Sequence, residues 1–129
     1  MVLEDGQFRF MFTAKDYAKA VAFYRDGLQL PLDHDWDFGP GDAGSVFKAG
    51  MGMVEVFSPA PGSEYVKPSG ISMLLQVDNV DEWVDHARDR DLSVVEEPCT
   101  QPWGQRTLRL CDPDGITVTL FHTVPVGAS

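Results

Sequence analysis

Three histidines, two cysteines and a scatter of carboxylates are the side chains in this chain that could ligate a metal or serve as nucleophile or base. Their spacing argues against most of that chemistry. His34, His86 and His122 show no paired spacing, and His86 falls on a helical stretch beside Asp85 and Asp89. Cys99 and Cys111 make neither a CxxC pair nor a disulfide framework. Cys111 reads as a small core residue in an apolar strand. Cys99 reads as part of a Pro-flanked loop, with no histidine close in sequence to activate it. Asp33, Asp35 and Asp37 alternate with His34, Trp36 and Phe38, the pattern of a strand with one solvated face. What the spacing does offer is aromatic surface. Trp36, Phe38 and Trp103 suit stacking on a planar molecule, and Met11, Met51 and Met53 add adaptable apolar contact. The same residues would also serve as ordinary core filling.

A repeated pattern positions them. Phe8, Phe10 and Phe12 alternate with Arg9, Met11 and Thr13, which predicts a strand. Asp16 reads as the N-cap of a helix carrying Tyr17, Ala20, Val21, Tyr24 and Leu28, with Gly27 placed to end it. Strands are expected over 30–38, 45–49 and 53–57, and the Pro- and Gly-rich stretch 58–69 reads as a linker. The pattern then restarts with a strand holding Ile71, Met73, Leu75 and Val77. A helix follows, N-capped by Asn79 (Asp78 is the competing choice), with Val80, Trp83, Val84 and Ala87 on one stripe. A short strand at 92–95, a loop over 97–103, strands at 105–111 and 116–122, and a turn at Asp112-Pro113-Asp114-Gly115 complete the chain. Asp16 and Asp78 stand 62 apart, and Glu55 and Thr119 64 apart. The expectation is therefore a duplicated βαβββ unit, repeat one at about 7–57 and repeat two at about 70–123, within one domain over 1–129.

The fold class this predicts is α+β: eight strands forming a cup, with two helices on the convex side. Phe8, Phe10, Phe12, Ile71, Met73, Leu75, Val118 and Leu120 are expected to face the helices. Arg9, Met11, Glu55, Ser72, Thr117 and Thr119 are expected on the concave side, where mixed polar and apolar residues suit a ligand pocket. Composition narrows the partners. With 129 residues, 43% hydrophobic and 23% charged, this is an ordinary globular chain rather than a disordered one. Ten Lys and Arg against twenty Asp and Glu leave a net charge of −10, which repels phosphate backbones and anionic lipid. Neither nucleic acid nor membrane is expected as a partner. No apolar run approaches the roughly 20 residues of a membrane span, and the first residues lack a secretory signal pattern. The expected location is the cytoplasm.

Three stretches resemble a known family. Asp16 with Ala20-Val21-Ala22-Phe23-Tyr24 and Gly27-Leu28 resembles its first helix, with the "FY…LG" signature slightly rearranged. Gln76-Val77-Asp78-Asn79-Val80 resembles the approach to its second helix. Trp103-Gly104-Gln105-Arg106, followed by Asp112-Pro113-Asp114-Gly115, resembles its penultimate strand and last hairpin. From about Phe8 to His122 the chain is similar to the vicinal oxygen chelate superfamily, which includes glyoxalase I, extradiol dioxygenases, fosfomycin resistance enzymes and bleomycin resistance proteins. The resemblance implies a divalent metal at four positions, which fall here on Arg9, Glu55, Ser72 and Thr119. Only Glu55 is a good ligand, since Arg9 repels a cation and the two hydroxyls bind transition metals poorly. No metal or other cofactor is expected.

The resemblance to bleomycin resistance proteins implies non-catalytic sequestration of a bulky, partly aromatic small molecule, an antibiotic or other natural product, by a cytoplasmic homodimer. The expected ligand-binding set is Arg9, Met11, His34, Trp36, Phe38, Glu55, Ser72, Trp103, Arg106 and Thr119, with no catalytic residue. The alternative is a glyoxalase-like lyase or isomerase, or a metal-independent enzyme using Glu55 as base. A carboxylate held against a guanidinium stays ionised, which suits anchoring a ligand more than abstracting a proton.

Overall fold

The computed structural model describes residues 1–125. The chain divides into two compact units, Met1–Val66 and a second beginning at Lys67. The first holds β1 (Arg9–Thr13), α1 (Tyr17–Ala22), β2 (Leu32–Asp37), β3 (Ala43–Ala49) and β4 (Gly52–Phe57). Its four-stranded sheet runs β1-β4-β3-β2, with β1 and β4 parallel and the other pairs antiparallel. The second holds β5 (Ser72–Gln76), α2 (Glu82–Asp89), β6 (Ser93–Gln101), β7 (Gln105–Cys111) and β8 (Thr117–Thr123), in the order β5-β8-β7-β6. The two units repeat each other in register. Arg9 lies opposite Met53 and Met11 opposite Glu55; correspondingly, Ser72 lies opposite Thr117 and Leu74 opposite Thr119. The duplicated βαβββ architecture is as the sequence pattern predicts.

In the first unit the Asp16 carboxylate accepts the Lys19 N–H at 3.2 Å and starts α1. The helix then widens into a π-helical turn over Phe23–Gly27, closed by Leu28 N–H to Phe23 C=O at 2.8 Å. Tyr24 is fully buried and meets Phe12, Phe23 and Phe47 at centroid distances of 5.9, 4.9 and 6.4 Å. These contacts define the helix side of the sheet, which Val54 and Val56 share by alternation. In the second unit Val80, Ala87, Leu108, Leu110, Ile116, Val118 and Leu120 are all but inaccessible and form the corresponding core. Truncating any one of the leucines to Ala costs about 2–5 kcal/mol. The last hairpin is held by the buried Asp112, whose Oδ1 accepts the N–H groups of Asp114 and Ile116 at 2.9 and 2.8 Å. Gly115, at φ +88°, supplies the left-handed position that turn requires.

Several expectations need correction. The helix ends at Gly27 as expected, but through a π turn, and the residue in the left-handed region is Gln29, at φ 57°. Helix α2 starts later than a cap at Asn79 implies. The Asn79 side chain accepts the Asp81 N–H at 2.9 Å, shaping a turn that precedes the helix. The loop expected over 97–103 is mostly strand, because β6 runs from Ser93 to Gln101. It is an edge strand with register shifts between Val94 and Glu96 and between Glu96 and Cys99, which accommodate Pro98. Cys99 is thus an exposed strand residue, and Cys111 is only half-buried. Phe8 and Ile71 precede their strands and are exposed, so neither joins the core.

Candidate functional site

Alternation places Arg9, Met11 and Glu55 on the face of the first sheet away from α1, as expected. Glu55 lies opposite Met11 on β1 and Val46 on β3, so it sits mid-sheet and is only 6% exposed. One Arg9 Nη1 donates to Glu55 Oε1 at 2.7 Å, and Arg9 Nε donates to Gln7 Oε1 at 2.6 Å. The buried carboxylate therefore carries a charge-assisted partner, without which its desolvation would be costly. Met11 beside it is exposed.

On the same face β2 contributes an aromatic shelf. Trp36 lies opposite Gly44 and His34 opposite Val46. The indole lies across the glycine: a Cβ there would overlap its Cζ2 and Cη2 and come within 2.9 Å of Cε2. Phe57 meets the indole edge-on at 5.9 Å, and the His34 ring stacks with it at 6.0 Å. His34 Nδ1 and Asp33 Oδ2 are 2.6 Å apart, and this hydrogen bond holds the Asp33 carboxyl below its ordinary value. Phe38 stands exposed at the β2–β3 turn, where its N–H donates to Asp42 C=O at 2.9 Å. Gly44, Val46 and Phe57 escaped the sequence reading. The usable signal was Gly44, since a glycine within a strand marks a close approach of another group.

In the second unit Ser72 and Thr119 occupy the sheet face away from α2. Trp103 is 61% exposed in the β6–β7 turn, and its Nε1–H donates to Gln105 Oε1 at 3.1 Å. Arg106 does not share the face of Ser72 and Thr119. It lies on the helix side, where Nε and Nη2 hold the Asp81 carboxylate at 2.9–3.1 Å and Nη1 donates to Thr100 Oγ1 at 3.0 Å. Its hydrogen bonds hold Asp81 below the ordinary carboxylate value and raise Arg106 above its own. Arg106 is thus an anchor for the start of α2. His122 has a similar part, its Nδ1 accepting the Val80 N–H at 3.0 Å.

The metal implied by the resemblance does not fit these donors. In the first unit Glu55 Oε1 already receives a guanidinium N–H, and the second unit offers only the neutral hydroxyls of Ser72 and Thr119. Among the described residues no three His, Cys, Asp or Glu side chains gather as a ligand set. No described helix is long and apolar enough to cross a membrane.

A family model described as the Glyoxalase/Bleomycin resistance protein/Dioxygenase superfamily matches residues 6–120. No curated protein sequence matches the chain. Among solved structures it is similar to TnmS3, an antibiotic binding protein from Streptomyces sp. CB03234, at 24% identity and a TM-score of 0.73, over 97% of this chain and 98% of that one. It is also similar to a lactoylglutathione lyase from Agrobacterium tumefaciens, at 23% identity and a TM-score of 0.67, over 90% and 92% of the two chains. A third relative is a member of the same superfamily from Sphaerobacter thermophilus DSM 20745, at 24% identity and a TM-score of 0.70, over 90% and 95%. At these identities the likeness speaks for the fold.

Proposed function

Because the chain belongs to the glyoxalase/bleomycin resistance protein/dioxygenase superfamily, we propose that it binds and sequesters a bulky, partly aromatic small molecule without turning it over. The ligand class is an antibiotic or related natural product. The observation that carries this reading is the Trp36 indole lying across Gly44, on the same sheet face as the buried Glu55–Arg9 pair. A broad ring can stack beside the indole, while the ion pair offers hydrogen bonds to a polar substituent. The name of the TnmS3 neighbour as an antibiotic binding protein supports the same class.

The lyase neighbour supports the alternative of an enzyme. Against it, the donor set does not suit a metal, and a Glu55 oxygen engaged by Arg9 suits an anchor better than a base. The protein acts as a cytoplasmic homodimer in this reading, since each four-stranded sheet ends in edge strands that a partner chain can cover. Light scattering giving a monomer at micromolar concentration would remove the dimer from it.

Titration with a panel of polycyclic aromatic antibiotics, followed by tryptophan fluorescence, tests the binding itself. Trp36→Ala should weaken binding by about 1–3 kcal/mol, roughly ten- to hundredfold. Unchanged affinity per folded molecule would show that the indole is structural.

A further inference from the structure

The helix side of the first sheet carries a groove with a volume of about 450 Å³, between α1 and strands β2 and β3. That volume falls in the range of small-molecule sites, roughly 300–1,000 Å³. Val21 and Leu32 give it accessible apolar walls over the buried Phe47, and Asp35 and Asp37 stand exposed at its rim. The two aspartates point to the side of β2 opposite the Trp36 indole, because they lie across from Ser45 and Ala43 rather than Gly44. Trp36 also borders the groove.

Three features go beyond a chance surface depression. Ser45 is 4% exposed, and its hydroxyl lies 2.6 Å from that of Tyr17. Two hydroxyls bring two protons, and the bond between them uses one. The other proton has no acceptor among the described residues, so the pair offers a donor to a molecule in the groove. The charge is also one-sided. Among the described residues Arg25 is the one cation lining the groove, and its guanidinium is held by Asp26 through bonds of 3.0 and 3.1 Å. Asp35 and Asp37 therefore set a negative potential at the rim, within a chain of net charge −10. Finally, one wall comes from the π-helical turn that carries Arg25, a local geometry frequent at functional sites.

We propose that this groove is a second binding site, which takes a small organic cation: a primary ammonium on a compact aromatic body with a hydroxyl at its far end. The ammonium sits at Asp35 and Asp37, the ring lies against Val21 and Leu32, and the hydroxyl accepts from the Tyr17–Ser45 pair. Tyramine is a suitable probe. Its neutral counterpart, 4-(2-hydroxyethyl)phenol, lacks the ammonium, and 2-phenylethylamine lacks the hydroxyl.

Amide NMR of the full chain reads both affinity and place. At low ionic strength tyramine should shift Tyr17, Val21, Asp35, Asp37 and Ser45, and bind at least about tenfold more tightly than the neutral phenol. The paired substitution Asp35→Asn with Asp37→Asn should abolish that preference. Both side chains are exposed, so the variant should keep the wild-type melting temperature. Tyr17→Phe combined with Ser45→Ala, which removes both hydroxyls, should bring tyramine to the affinity of 2-phenylethylamine. Equal binding of tyramine and the neutral phenol would overturn the proposal. So would a preference that survives the Asn pair, no shift at about 10 mM tyramine, or shifts confined to Arg9, Val46 and Glu55. The last pattern would place the probe on the opposite face of the sheet.

Discussion

Gly44→Ala isolates the contact on which the aromatic shelf depends. Gly44 is buried in β3 and does not occupy the left-handed region, so alanine fits its backbone. The added methyl group would instead collide with the Trp36 indole, overlapping Cζ2 and Cη2. Overpacking of this kind costs about 1–3 kcal/mol. Replacing glycine at a compatible position returns about 0.4–1 kcal/mol by restricting the unfolded chain. The net expectation is a loss of about 1–2 kcal/mol, with the indole pushed off the sheet. In a Trp36→Ala background the collision vanishes, and the same Gly44→Ala change should stabilise by about 0.4–1 kcal/mol. Urea unfolding followed by far-ultraviolet circular dichroism measures all four corners of this cycle without relying on tryptophan emission. An equal cost of Gly44→Ala in both backgrounds would refute the reasoning, because the loss would then not come from the indole.

Three further outcomes follow from named contacts. Arg9→Ala leaves the buried Glu55 carboxylate without its 2.7 Å partner and should cost about 1–3 kcal/mol, whereas Arg9→Met with Glu55→Leu should cost less than the single change; chemical unfolding of the three proteins orders them. Asp81, with its side chain about half exposed, is held by Arg106 below the ordinary aspartate value of 3.8. The pair therefore stabilises the fold above that pH, and its contribution fades as pH falls through the lowered value. Asp81→Asn should flatten this acid limb in melting curves while costing less than about 1 kcal/mol near neutrality, since solvent screens the pair. An unchanged acid limb would contradict the assignment. His122 accepts the Val80 N–H through Nδ1, so its neutral ring should carry the proton on Nε2. Nitrogen-15 NMR distinguishes the two tautomers, and an Nδ1–H signal would exclude this cap.

The duplication was legible because alternation and helical spacing recur at nearly constant offset, and that offset also placed Arg9 and Glu55 on one face. Their direct pairing in adjacent parallel strands follows from the same register. Less of β2 could be read. A register shift between Leu32 and His34 sets Leu32 opposite Phe47, on the helix side, and His34 opposite Val46, on the other. Simple alternation would have put both on one face. The link between Trp36 and Gly44 depends on that shift, which no local pattern reveals. In the same way Glu97 and Pro98 look like loop because charge and proline are what a bulged edge strand also carries. Arg106 was misplaced for a different reason. Its side of β7 follows from alternation, but its partner Asp81 is distant in sequence, and only the fold brings the two together.

The sheet face holding Trp36 and Glu55 is proposed to retain an aromatic ligand without transforming it. Mass spectrometry of a polycyclic aromatic antibiotic, after incubation with one equivalent of protein and release by denaturation, tests this most directly. The ligand should co-purify with wild-type protein, be lost from Trp36→Ala, and be recovered at its original mass. A new product mass that disappears with Glu55→Gln would contradict the claim and make Glu55 the base of an enzyme.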